Sequence, residues 1–138
     1  MKETAVKYFL EGYSCSEAIV KSAADKGYIS QDALAIATSF SGGMGVRCLC
    51  GAVAGSQMII GAMFGKTNEN SGKKAREFAK HFNEEFSKKY KVNCCKVLSS
   101  GYDFASPERK NHCAKIVANC AEIVENIVNT NIVAEKNS

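Results

Sequence analysis

Residues 42–64 read GGMGVRCLCGAVAGSQMIIGAMF, and this stretch decides the fold. Its opening glycines predict a turn in which several residues need a positive φ angle. A helix is then predicted from near Cys50 to Phe64, with Gly51 and Gly55 four residues apart on one side. Such a face of small residues lets the backbone of another helix approach closely.

The chain before this stretch shows apolar residues three and four positions apart, which is the spacing of one helix face. Ser14 and Glu17 match a capping box, so a helix is predicted to begin at Cys15 and to run towards Gly27. A further helix is predicted after Ser30. The predicted inner faces of the first and third helices consist of Val6, Phe9, Leu10 and Tyr13, and of Ala33, Ile36, Ala37 and Phe40.

The chain after this stretch continues the helical spacing. An aromatic stripe predicts a core helix, Asn93 is expected to cap a short helix, and Ser106 before Pro107 predicts the start of the last helix. We expect a frayed tail beyond Thr130. No segment alternates with period two, so the sequence predicts an all-α fold, a compact bundle of six or seven short helices forming a single cysteine-rich domain over residues 1–138. The aromatic stripe comprises Ala75, Phe78, Ala79, Phe82 and Phe86.

The charge and hydropathy of the chain argue against several classes of function. The net charge of +4 is concentrated in KKAREFAKHFNEEFSKKYK, which is more typical of a solvated helix face than of a nucleic-acid patch. The opening MKETAVKYFLEG lacks the apolar run of a secretory signal, and no run reaches the roughly 20 apolar residues needed to cross a bilayer. Phosphate-loop, dinucleotide and hydrolase motifs are absent from the sequence. We therefore expect a cytoplasmic protein without nucleic-acid binding or membrane insertion.

Seven cysteines are the main compositional signal. A reducing cytosol disfavours a structural disulfide framework, and an odd number of thiols cannot all pair within one chain. Cys15, Cys50 and the pair Cys94 and Cys95 each fall at a predicted helix N-terminus, where unpaired amides and the helix dipole favour a thiolate. Cys113 is predicted to point inward from the last helix. Thiolates bind soft metals and attack disulfides, so this pattern predicts a joint site.

The ordered segments GYSCSEAI, FSGGMG, CGAVAG, CCKVLSSGYDF and HCAKIV give the chain its resemblance to the C_GCAxxG_C_C family of redox-active proteins. The resemblance covers nearly the whole chain. It implies redox or metal chemistry by four recurrent cysteines, which fall on Cys15, Cys50, Cys95 and Cys113. Cys94 could match in place of Cys95, whereas Cys48 and Cys120 stand outside the pattern.

Three functions are compatible with these residues. In the first, the four cysteines bind an iron-sulfur cluster or another thiolate-bound metal for electron transfer with a redox partner that the sequence does not identify. In the second, no cofactor is used: Cys50 attacks a disulfide or related substrate, and Cys15 or Cys95 resolves the intermediate. In the third, the protein is a helical packing or assembly module, and its cysteines serve only as small apolar side chains. This interpretation is the favoured one for Cys120.

Two further points stay open. His112, next to Cys113, is expected to be a surface or capping residue, with a role as an additional ligand as the alternative. A site built from separate helices could also lie at the interface of a homodimer.

Overall fold

The computed structural model describes residues 1–136 and contains seven α-helices and no β-strand within that range, which confirms the all-α prediction. A short 3₁₀ turn (Thr38–Phe40) extends α3, and a tight turn (Gly43–Arg47) precedes α4. The helices are α1 (Lys2–Leu10), α2 (Cys15–Asp25), α3 (Ala33–Ala37), α4 (Gly51–Phe64), α5 (Lys73–Lys89), α6 (Cys95–Leu98) and α7 (Pro107–Lys136).

The N-terminus of α2 carries the predicted capping box. The Ser14 side chain accepts a hydrogen bond from the Glu17 amide, and the Glu17 carboxylate accepts one from the Ser14 amide. Two of the amides that a helix start leaves unpaired are satisfied in this way. The cap therefore fixes where α2 begins, and with it the position of Cys15, the first residue of the helix.

Helices α2 and α4 pack against each other through the two glycines of CGAVAG. A Cβ atom on Gly51 would collide with the Cys15 Sγ atom, and one on Gly55 would lie 3.0 Å from the Ser16 carbonyl oxygen and 3.3 Å from the Ile19 Cβ atom. Any side chain at these two positions would push the helices apart. The small face predicted from the sequence is thus the contact that brings Cys15 beside the start of α4.

The main core contains buried residues of α1, α2, α4, α5 and α7. Phe82 and Phe86 of the predicted aromatic stripe are buried, and their rings stack with centroids 6.3 Å apart. Cys120 and Val124 of α7 are fully buried against them. Each such large side chain contributes roughly 1.5–3 kcal/mol relative to exposure. Cys50 belongs to this core cluster and Cys15 packs against it, so the starts of α2 and α4 are anchored to the core.

Four local predictions were wrong. Leu10, predicted on the inner face of the first helix, is exposed. Ile36 is exposed, because α3 is short and only Ala33 and Ala37 face α2. The short helix α6 has Cys94 rather than Asn93 at its N-cap. Helix α7 continues beyond Thr130 to Lys136, since Ile132 still packs against the core.

The helices of residues 1–136 do not include a membrane-spanning segment, since none of these helices has both the necessary length and the necessary hydrophobicity.

Candidate functional site

Four cysteines from four helices line a single cavity of about 190 Å³. Cys15 comes from the first turn of α2 and Cys50 from the residue before α4. Cys95 begins α6, and Cys113 lies in the second turn of α7. Cys50 and Cys95 are buried, whereas Cys15 and Cys113 are half-buried and lie nearer the solvent. The cavity thus brings together thiols that are up to 98 positions apart in the sequence.

A short antiparallel bridge between Leu49 and Cys94 joins two of these elements. The Cys50 amide donates to the Asn93 carbonyl oxygen at 2.8 Å, and the Cys95 amide donates to the Cys48 carbonyl oxygen. These two hydrogen bonds hold the segment before α4 alongside the segment before α6. Cys50 and Cys95 consequently reach the cavity from two backbones that are directly hydrogen-bonded to each other.

The turn before Cys48 is built almost entirely from left-handed residues, as the glycine-rich sequence predicts. Gly43 has a φ of +64°, and a Cβ atom there would lie 2.5 Å from the Cys48 nitrogen and 2.9 Å from the Cys95 Cβ atom. Met44 and Arg47 also adopt positive φ, which costs roughly 1–2 kcal/mol for a residue with a side chain. Such strain is concentrated in functional regions of proteins, and here it lies directly beside the thiol cavity.

Burial governs the acidity of the thiols. It raises the pKa of Cys50 to about 12, to which the nearby Cys15 adds by charge repulsion, while the amides of Val53 and Ala52 act in the opposite direction. Burial likewise raises the pKa of Cys15 more than the amides of Gly42 and Ser16 lower it. The expectation that helix N-termini would favour thiolates at these positions was therefore wrong in direction, because desolvation outweighs the amides.

The pKa of Cys113 is also governed by burial, but a nearby positive charge opposes this effect. Burial raises its pKa, but the guanidinium group of Arg109 one turn earlier on α7 acts to lower it. Its pKa is also raised by the proximity of Cys15 and Cys95, whose charge would repel a thiolate. These mutual effects indicate that the thiols are close enough to influence one another across the cavity.

The remaining cysteines do not line the cavity. Cys48 is exposed, and Cys94 is half-buried with its thiol donating to the Arg47 carbonyl oxygen at 3.6 Å. Cys120 is fully buried in the core, where burial raises its pKa well above the usual value. Of the doubled pair, Cys95 and not Cys94 faces the cavity. His112 lies outside the cavity lining: its Nε2 atom is 2.8 Å from the Leu98 carbonyl oxygen, and its ring stacks on Tyr102.

The ligand chemistry of the cavity is that of sulfur alone, since no histidine, aspartate or glutamate lines it. Within residues 1–136, no three cysteine, histidine or acidic side chains converge closely enough to hold a metal ion as they stand. A tetrahedral zinc with bonds of ~2.3 Å would require its sulfurs to be about 3.8 Å apart. The four thiols instead stand around a space, so they do not form a closed single-ion site.

Apart from the four thiols, the residues that line the cavity were not predicted as site residues, and three of them are important for its chemistry. Arg109, Phe104 and Ser99 line it together with the thiols. Arg109 precedes Cys113 by four residues on a predicted helix, so its place on the same face could have been inferred from spacing. Phe104 and Ser99 lie in an irregular segment with no periodic pattern, and only the tertiary structure places them.

The comparisons with known proteins agree with the cysteine pattern. Residues 13–127 match the model of the family described as "Putative redox-active protein (C_GCAxxG_C_C)". No curated protein and no solved structure matches the chain. The matched region contains all four cysteines of the cavity and the CGAVAG segment that packs α4 against α2. The chain belongs to the C_GCAxxG_C_C family of redox-active proteins.

Proposed function

We propose that the cavity is the redox site and that Cys15, Cys50, Cys95 and Cys113 hold an iron-sulfur cluster for electron transfer. The observation that carries this proposal is the meeting of four thiols from four helices at one largely apolar cavity. Four thiolates are the ligand set of two-iron and four-iron clusters. A bound cluster would supply one-electron chemistry, and the chain would supply its ligands, its shielding from water and its charge environment.

The buried thiols support a metal-bound state through their charge. A thiol with a pKa of about 12, such as Cys50, stays protonated at neutral pH in the metal-free chain. Bound iron is positively charged and would stabilise the thiolates, which the apolar lining of the cavity does not. Metal binding would therefore release the thiol protons. Metal affinity should therefore increase as the pH rises.

The size of the cavity favours a cluster over a single ion. The cavity that the thiols line together with other residues has a volume of about 190 Å³. A mononuclear tetrahedral site would draw the sulfurs together around one point and would close this space. A cluster contains several iron and sulfide atoms and needs room between its ligands, which supports the cluster as the first choice.

A cofactor-free dithiol site is the second candidate, and the proximity of Cys15 and Cys50 supports it. The charge of Cys15 is the main influence on the Cys50 pKa after burial. In this alternative Cys50 attacks, Cys15 or Cys95 resolves, and formation of the disulfide passes two electrons and two protons to an oxidised substrate. The raised pKa values make such an attack slow at neutral pH, so we place this candidate second.

The deciding experiment is analysis of iron and acid-labile sulfide, with a visible absorption spectrum, on protein purified without oxygen. We expect both elements and a charge-transfer absorption. Alanine at each of the four cavity cysteines should abolish them, whereas Cys48→Ala and Cys120→Ala, one exposed and one buried, should retain them. Protein without iron or sulfide would contradict the cluster. Loss of two hydrogens on mild oxidation, mapped to Cys15 and Cys50, would then support the dithiol site.

A cytoplasmic location and an unidentified redox partner are part of this proposal. A thiolate-bound cluster is compatible with the reducing conditions of that compartment. The partner would have to exchange electrons at the side of the cavity where Cys15 and Cys113 approach solvent.

A further inference from the structure

Two arginines share one aromatic ring of the cavity lining. Arg109 and Phe104 line the cavity, whereas Arg47 lies outside the lining and contacts Phe104. The guanidinium carbon of Arg109 lies 3.8 Å from the centroid of Phe104, and that of Arg47 lies 4.8 Å from the same centroid. The two arginines come from distant elements, the turn before Cys48 and the first turn of α7. Two like charges beside the same ring repel each other, and an opposite charge next to them would relieve this repulsion.

Among residues 1–136, no carboxylate forms an ion pair with either arginine. Neither Arg47 nor Arg109 has a carboxylate oxygen within 4.0 Å in that part of the chain, and the cavity lining contains no acidic residue. Arg47 donates to the Ser99 hydroxyl at 2.9 Å, and Arg109 donates to the Phe104 carbonyl oxygen at 3.1 Å. Both partners are neutral, so neither arginine is compensated by an ion pair in that part of the chain.

The same two side chains contain buried donors without acceptors. The Nε atoms of Arg47 and Arg109 are buried and have no hydrogen-bond partner within residues 1–136. Buried polar groups in proteins are nearly always hydrogen-bonded, and an exception calls for an explanation. An anion beside the guanidinium groups would balance both positive charges, because a guanidinium presents a planar fork of donors to carboxylates and oxyanions.

We propose that Arg47, Arg109 and Phe104 form an anion-selective entrance to the thiol cavity, which binds the carboxylate or oxyanion group of a small molecule. Phe104 is about half exposed, at 49%, so its ring covers the entrance from the solvent side. The anionic group would lie against the guanidiniums while the apolar or sulfur-bearing part of the molecule faces Cys113 and Cys15. This entrance goes beyond the redox proposal, since it would serve either a cluster or a dithiol site.

The test compares an anionic and a neutral reagent of nearly the same size on the reduced, metal-free full chain. Iodoacetate and iodoacetamide both react by attack of a thiolate on their methylene carbon, which forms a thioether, releases iodide and leaves the thiol proton with the buffer. Since both reagents need the same thiolate, the ratio of their rates is independent of the thiol pKa. The ratio at Cys113 and Cys15 is read by peptide mass spectrometry and divided by the ratio for free 2-mercaptoethanol.

We expect the normalised ratio to favour iodoacetate by about tenfold and to fall with added salt. Arg47→Gln and Arg109→Gln should each bring it close to one, while Arg109→Lys should keep most of the preference. Arg76→Gln is the matched control, because it removes the same charge from α5, where Arg76 donates to the Ser71 carbonyl oxygen away from the cavity. Circular dichroism verifies that each variant is folded.

Three results would overturn the entrance. The first is a normalised ratio near one in the unaltered chain, and the second is an equal loss of preference in Arg76→Gln. The third is failure of both reagents to label Cys113 and Cys15 in the folded protein, since the entrance would then be closed to small molecules. None of these results bears on iron content, and absence of iron does not change the labelling ratio, so the two proposals can fail separately.

Discussion

Gly51 lies so close to the thiol of Cys15 that no side chain fits between them. The contact joins the first residue of α4 to the first residue of α2, two helix starts that both border the cavity. Glycine at position 51 is therefore required for two reasons: it leaves room for the Cys15 thiol at the cavity, and it allows α2 and α4 to pack closely.

We predict that Gly51→Ala displaces Cys15 and destabilises the protein by roughly 1–3 kcal/mol, the usual cost of overpacking. Urea unfolding measures the loss of stability, and the iron content or labelling rate of Cys15 measures the loss of the site. Gly61→Ala on the same helix is the control, because a Cβ atom there meets nothing within 4 Å. That variant should be as stable as the natural chain or up to about 1 kcal/mol more stable. Equal effects of the two substitutions would contradict the contact.

A second prediction concerns the left-handed turn before Cys48. Gly43 and Gly45 both have positive φ, but only a Cβ atom at Gly43 would collide with the Cys48 nitrogen and the Cys95 Cβ atom. Gly45→Ala should cost roughly 1–2 kcal/mol from backbone strain alone. Gly43→Ala should cost clearly more and should also disturb Cys95. Chemical denaturation of the two variants gives the difference, and equal losses would show that the collision is relieved without cost.

The pH dependence of stability follows from the raised pKa of Cys50. Since this pKa is about 12 in the folded chain and the ordinary value for a cysteine is 9.0, the unfolded chain loses the proton first. The thiol's contribution is complete below about pH 9 and is lost as the pH rises towards 12, at up to roughly 1.4 kcal/mol per pH unit. Urea unfolding between pH 8 and 10.5 should show a shallower decline for Cys50→Ala than for Cys48→Ala. Parallel curves would mean that Cys50 is less buried than described.

The capping box at α2 gives a fourth prediction. Ser14→Ala removes the acceptor of the Glu17 amide and should cost about 1 kcal/mol. Ser14→Asp should restore most of this loss, because aspartate is also a good N-cap. Fraying of this turn would move Cys15, so Ser14→Ala should also increase its rate of reaction with iodoacetamide. An unchanged rate would show that Gly51 and α4 hold Cys15 in place without the cap.

Much of the fold could be predicted from local patterns, and the reasons lie in particular residues. Ser14 and Glu17 satisfy each other within one turn, and Gly51 and Gly55 fall on one side of a helix whatever it packs against. The prediction that Ile36 lies on the inner face of α3 was wrong, because the spacing of apolar residues does not show which side of a five-residue helix contacts a neighbouring helix. The length of α7 was underestimated since Ile132 finds its contacts on other elements.

The candidate site was predictable in part. The cysteine pattern led to the four thiols that line the cavity, although their role as ligands stays a prediction. The choice between Cys94 and Cys95 depends on the bridge of Cys94 with Leu49, a contact 45 positions away in the sequence. The acidity of Cys50 was predicted in the wrong direction, because its amide neighbours are local and visible in the sequence whereas its burial is produced by the whole fold.

The bridge between Leu49 and Cys94 also determines how the cavity can open. The Cys50 and Cys95 amides donate across it, to Asn93 and Cys48, so the two segments cannot separate without breaking both hydrogen bonds. Hydrogen exchange at these two amides would therefore occur in the same opening event, and its free energy would measure how often the buried thiols meet solvent. The exposure of the proposed redox site is thereby linked to the local stability of one pair of backbone hydrogen bonds.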